Sequence, residues 1–170
     1  MPNTTIIRLP SAACFTLLLA AAVPFAALGA TPAEAVCGYV DASDYVQGDA
    51  QIDAWYSMLS ELKQDFDDVC GDTFCEGDYS NIESLGYRCS VHQASGRIGQ
   101  CVWMFAASSE EIDPETGEVL AEPHFWRCPT PLAPDTTIEE LLAAVAGQSP
   151  LYAPLPGSDL SIYDGLVDCL

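Results

Sequence analysis

The sequence predicts a small α+β domain: a long N-terminal amphipathic helix packed on an antiparallel meander of three or more strands, then a second short helix and a pinned C-terminal tail. Three observations carry this. Ile52, Trp55, Tyr56, Leu59, Leu62, Phe66, Val69 and Cys70 recur at steps of three and four, which puts them on one helix face. From Leu85 to Cys128, two turn signals separate three segments of strand-like character. Cysteines are frequent, with three of them on one side of that meander.

The chain opens with a segment outside the fold. Arg8 is followed by an apolar run from Ala12 to Leu28 and then by small residues, the pattern of a secretory signal peptide. Ala33-Glu34-Ala35 fits the cleavage motif, so residues 1–35 are expected to be removed, with cleavage after Ala30 as the alternative. Residues 36–170 then form a single disulfide-rich, acidic domain that is secreted or periplasmic. No later segment is apolar and long enough to cross a bilayer, so no membrane association is expected once the signal is gone.

Charge narrows the partners. The chain carries 25 acids against 5 Lys and Arg, a net charge of −20. Cleavage after Ala35 removes Arg8 and Glu34 together and leaves that balance unchanged. Such a surface repels nucleic acid and attracts a cationic protein.

Eight cysteines are present, and Cys14 lies within the signal. The others, Cys37, Cys70, Cys75, Cys89, Cys101, Cys128 and Cys169, make a disulfide framework in an oxidising compartment. Their connectivity is not fixed by sequence, but at least one helix-to-sheet bridge is expected among Cys70, Cys75, Cys89, Cys101 and Cys128. Cys-x-x-Cys pairs are absent, and His92 and His124 have no ligand-like spacing, so neither a metal nor a cofactor is expected.

In chain order, Val36 to Gly48 reads as an irregular lead-in tied down by Cys37. Asp49 is the expected N-cap of the long helix and Gly71 its C-terminal stop. In the meander, Gln93-Ala94-Ser95-Gly96-Arg97 is expected to hold a three-residue loop with Gly in the left-handed position. Pairing Gln93 with Arg97 sets Cys89 opposite Cys101. The turn Asp113-Pro114-Glu115-Thr116-Gly117-Glu118 has Pro and Gly where a tight turn needs them; it sets Trp103 opposite Cys128. Side-chain alternation then gives a core face of Tyr87, Cys89, Val91, Cys101, Trp103, Phe105, Trp126 and Cys128. The opposite face holds Arg88, His92, Gln100, Met104, Phe125 and Arg127, with Phe125 and Met104 expected under the C-terminal tail. Thr136 and Thr137 offer overlapping capping boxes with Glu139 and Glu140 for a helix carrying Ile138, Leu141, Leu142 and Val145. Leu160 to Cys169 fits either a last strand or a short helix, pinned by Cys169.

Two groups stand out as candidate binding residues. Asp68, Asp72, Glu76 and Asp78 gather at the end of the long helix, where the macrodipole disfavours acids. Read as a calcium loop from Asp72, the segment places Phe74 at a ligand position, which offers no oxygen. Arg88 and Arg127 frame Val102 and Met104 on the polar face of the meander, an arrangement suited to gripping a carboxylate. No nucleophile, base and orienting acid are arranged as a catalytic triad needs, and no Gly-rich phosphate loop is present. The expectation is therefore an exported non-catalytic acidic binding protein, an inhibitor or immunity-type partner of a basic extracellular or cell-wall protein. The alternatives are a carboxylate-based hydrolase and a structural envelope protein without a soluble ligand.

Overall fold

Three of the strands are joined by turns whose residues dictate how the chain reverses. The computed structural model describes residues 38–77 and 79–170, so the expected signal segment, residues 1–35, and Cys37 lie outside the described residues. Its strands are β1 (Tyr39–Asp41), β2 (Glu83–His92), β3 (Ile98–Ile112) and β4 (Val119–Pro129), in one antiparallel sheet of order β1-β2-β3-β4. Its helices are α1 (Ala42–Tyr45), α2 (Asp49–Val69), α3 (Ile138–Val145) and α4 (Ile162–Val167), and a π-helical turn, Cys70–Phe74, extends α2. The class is α+β.

Cys89 faces Cys101 and Trp103 faces Cys128, as the turn chemistry predicts. The first reversal nevertheless differs in detail. His92 N donates to Arg97 O at 2.8 Å, closing a four-residue loop rather than a three-residue one. Ser90 pairs with Gln100 but Val91 with Ile98, so Gly99 is an extra residue on β3. This bulge restores the register that the longer loop would have shifted. Gly96 holds φ 69°, in the left-handed region that favours glycine. A second irregularity, between Ser84 and Gly86, leaves Leu85 bulged outward and exposed.

Alternation along the strands buries Tyr87, Cys89, Val91, Cys101, Trp103, Phe105 and Cys128, with Trp126 half-buried. Aromatic rings of α2 lie against this side: Trp55 is 6.5 Å from Tyr87, and Phe66 is 5.7 Å from Trp103 and 4.6 Å from Phe105. The buried positions of α2 are Trp55, Met58, Leu62 and Phe66. The expected stripe is thus rotated: Met58 is inside, and Ile52 and Tyr56 are exposed.

Helix ends differ from expectation where backbone geometry overrides side-chain preference. Gly48, at φ 73°, is the N-cap of α2, and Asp49 is the first helical residue, its carboxylate beside the positive end of the helix. Gly71 does not stop the helix; the chain widens there into the π-helical turn, and Cys75 N donates to Cys70 O at 2.7 Å. Of the two overlapping boxes before α3, Thr137 with Glu140 forms. Thr136 is buried and donates instead to Ala133 O at 2.8 Å. The final segment is a helix, α4, with its own box between Ser161 and Asp164. The lead-in, expected to be irregular, supplies β1 and α1.

The described cysteines pair as Cys70–Cys75, Cys89–Cys101 and Cys128–Cys169. The expected helix-to-sheet bridge is therefore not made among them. The π-helical turn brings Cys70 and Cys75 to a Cα separation of 4.9 Å, within bonding range, so they close on each other. Cys169 does pin the tail, to β4.

Candidate functional site

The sequence-predicted residues fall into two separate groups. Asp68, Asp72 and Glu76 are exposed along the end of α2 and the turn that follows; Asp78 lies outside the described residues. Neighbouring acids are already engaged. Asp65 accepts from Ser149 Oγ at 2.6 Å and from Leu151 N at 3.2 Å, tying α2 to the segment after α3. Asp67 pairs with Lys63 at 3.3 Å. Among the described residues, no cluster of three or more His, Cys, Asp or Glu is arranged to hold a metal ion.

Arg88 and Arg127 stand on the other side of the sheet from the buried aromatic residues. Arg88 is the cross-strand neighbour of Val102, and Arg127 that of Met104. Together with Tyr39, Val40, Asp41, Ser90 and Gln100 they border a shallow trough of about 420 Å³. Arg88 Nε lies 3.6 Å from Asp41 Oδ2. Asp41 is held below the usual carboxylate range: partial burial would raise it, but hydrogen bonds from Ser43 and the charge of Arg88 outweigh that. The C-terminal tail does not cover this face as expected, for Phe125 is 67% exposed. The disulfide to Cys169 accounts for this, because Cys128 points to the buried side and draws the tail there.

A third feature escaped the sequence reading. β2 ends its pairing with β3 at Ala106, whereas β3 and β4 continue together from Ala107 and His124 to Ile112 and Val119. The result is a two-stranded arm. It carries Glu110, Glu111, Asp113, Glu115, Glu118 and Glu122 with no Lys or Arg from 107 to 124. Interleaved with these acids, Ile112 is 71% exposed, and Val119 and Leu120 are also exposed. Its tip is fastened by Asp113, which accepts from Glu115 N at 2.8 Å and Thr116 N at 3.0 Å. The signal for the arm was present in the turn register, because β3 is longer than β2 can match.

The two histidines have different surroundings. His92 Nδ1 and Ser95 Oγ are 3.1 Å apart in the hairpin loop, but among the described residues no carboxylate hydrogen-bonds the ring to orient it. His124 lies among aromatic rings, 5.2 Å from Tyr79 and 4.3 Å from Trp126. No known family model, curated protein or solved structure matches the chain.

Among the described residues, no helix is long and apolar enough to cross a membrane. The disulfides are compatible with an extracellular location.

Proposed function

We propose that the protein is an exported, non-catalytic binding protein that docks a basic protein, such as a cell-wall hydrolase it inhibits or a toxin it neutralises. The observation that carries this reading is the arm formed by β3 and β4. Ile112 and Val119 are directly opposed and exposed, an adjacent apolar pair of the kind found at contact surfaces, and it is set among acids with no Lys or Arg from 107 to 124. A partner with apolar and cationic residues side by side complements both features. Asp68, Asp72 and Glu76, with Asp78, extend the anionic surface that steers such a partner to the encounter. In this reading α2 and the disulfides serve as a rigid mount on the buried side of the sheet, which leaves the arm free to engage.

The test uses the mature, oxidised protein and a basic cell-wall hydrolase, lysozyme, as probe, with affinity measured by calorimetry at low and high salt. The expected result is binding that weakens by about tenfold or more at high salt. It should weaken likewise in the variant Glu110→Gln/Glu111→Gln/Glu118→Gln. Absent binding to lysozyme and to a panel of other basic exported proteins would overturn the reading, as would binding indifferent to salt and to the arm substitutions.

A further inference from the structure

The trough on the open face of the sheet has a chemistry that docking to a basic protein does not use. Its floor is apolar, made by Val102 and Met104 on β3. Its two sides each carry a guanidinium, Arg88 from β2 and Arg127 from β4. Arg88 lies opposite Val102 and Arg127 opposite Met104, so the two stand on either side of β3, two residues apart along it, and both border the trough.

The charges are as informative as the shape. In a chain with 25 acids, three of the four cations beyond the signal segment stand beside an acid: Lys63 with Asp67, Arg97 with Asp135 at 2.9 Å, and Arg88 with Asp41. Arg127 has no acid within ion-pair distance among the described residues. The contact of Arg88 is also loose, because 3.6 Å exceeds a hydrogen bond. Two under-used guanidiniums over an apolar floor are complementary to a carboxylate joined to an apolar body.

Backbone geometry separates a peptide from an alkyl chain as that body. A peptide bound as an added strand needs a sheet edge with free N–H groups. Thr130 N donates to Cys101 O at 3.0 Å, so in β4 the even-numbered residues direct their N–H groups to β3 and the odd-numbered ones direct theirs to the free edge. Pro123 and Pro129 fall among the odd ones and remove two of those donors. In the middle of the trough, β3 is already paired on both sides. An alkyl chain needs no such donors. The floor also continues past the trough: Met104, Ala106 and Phe125 follow one another on this face, Ala106 being the partner of Phe125. Met104 supplies an adaptable surface for such a chain.

We infer that the open face of the sheet binds a medium-chain fatty carboxylate, the carboxylate held between Arg127 and Arg88 and the alkyl chain lying over Val102 and Met104 toward Phe125. The site is independent of docking to a basic partner. Salt separates the two, because the guanidinium–carboxylate contact works against the protein's overall negative field. Screening that field offsets the loss at the contact, so affinity for the carboxylate changes little with salt, whereas docking to a basic protein weakens.

The experiment titrates decanoate, below micelle-forming concentrations, into the mature, oxidised protein, with decanol and acetate as comparison probes. Calorimetry gives affinity, and amide chemical shifts give the location. Decanoate is expected to bind with shifts at Val102, Met104 and Arg127, and decanol and acetate each about tenfold or more weaker. Arg127→Gln should cost decanoate about tenfold and leave decanol unchanged, with Arg88→Gln costing less and Lys63→Gln nothing. Both arginines are on the surface, so a thermal melt matching the parent protein certifies folding; Arg127→Lys serves if Arg127→Gln does not fold. Equal affinity for decanoate and decanol, shifts elsewhere, or indifference to both Arg127 substitutions would overturn the proposal. Preference for a peptide with a free C-terminal carboxylate over decanoate would overturn it as well.

Discussion

Two tryptophans buried to the same extent make different demands on their surroundings. Trp103 Nε1 donates to Ser84 Oγ at 2.8 Å, whereas the buried Trp55 Nε1 has no hydrogen-bond partner among the described residues. Substitution by Phe removes a similar volume at each position, so the difference isolates the donor. Trp103→Phe also leaves the half-buried Ser84 hydroxyl without its donor. It should therefore cost about 1 kcal/mol more than Trp55→Phe, read as the difference in urea midpoints followed by far-ultraviolet circular dichroism. Equal costs would show that Trp55 has a partner after all. Tyr87 makes the same kind of demand, since its buried hydroxyl is satisfied by Thr130 Oγ1 at 2.8 Å and burial drives its pKa upward. None of these pairings is visible in the sequence, where Trp55 and Trp103 are simply apolar residues at core positions.

At the scale of elements, local signals were legible and long-range closures were not. The turn from Asp113 to Glu118 fixed the β3–β4 register because its Pro, Gly and Asp each act within a few residues. Cys89 opposite Cys101 was also legible, although the four-residue loop and the Gly99 bulge had to compensate each other for the expectation to hold. The partners of Cys70 and Cys128 were not legible, because pairing depends on where a π-helical turn and a distant tail come to rest. Likewise Arg88 and Arg127 were assigned to one face by alternation alone, but the acid beside Arg88 came from β1, a strand the sequence did not announce. The pairings found lead to a ranking. Their sequence separations are 5, 12 and 41. In the chain-entropy account these correspond to about 2, 3 and 4 kcal/mol of stabilisation at 25 °C. Replacing Cys128 and Cys169 together by Ser should therefore lower stability most and Cys70 with Cys75 least, measured as urea unfolding free energies of the double variants. The reverse order would mean that the C-terminal segment, through Ile162 and Leu166 of α4, holds itself in place by packing alone.

For the molecule as a whole, charge works in two opposing directions, and pH separates them. A net charge of −20 opposes the compact state through self-repulsion, so added salt at neutral pH should raise the melting temperature. Roughly 4 °C accompanies each kcal/mol regained for a domain of this size. Lowering the pH toward 4.5 should act in the same sense, about where unperturbed carboxylates begin to protonate. Asp113 and Asp164 behave differently. Hydrogen bonds from Thr116 and Glu115 hold the first below its ordinary 3.8, and those from Ser161 hold the second below 3.8 as well. A carboxylate depressed in the folded state contributes stability above its unfolded pKa and loses it as pH falls through the folded value. The two caps therefore fail only below 3.8, after most of the repulsion has been relieved. Stability should rise gently as the pH is lowered from neutral and then drop, and high salt should flatten the rise while leaving the drop in place. Urea midpoints across pH at two salt concentrations measure this, with Asp113→Ala as the control. That variant should be less stable than the parent protein at neutral pH and indistinguishable from it once the parent's own Asp113 is protonated. A midpoint that falls steadily from pH 7 downward would show that the acids support the fold through ion pairs, and would leave self-repulsion with no part in its stability.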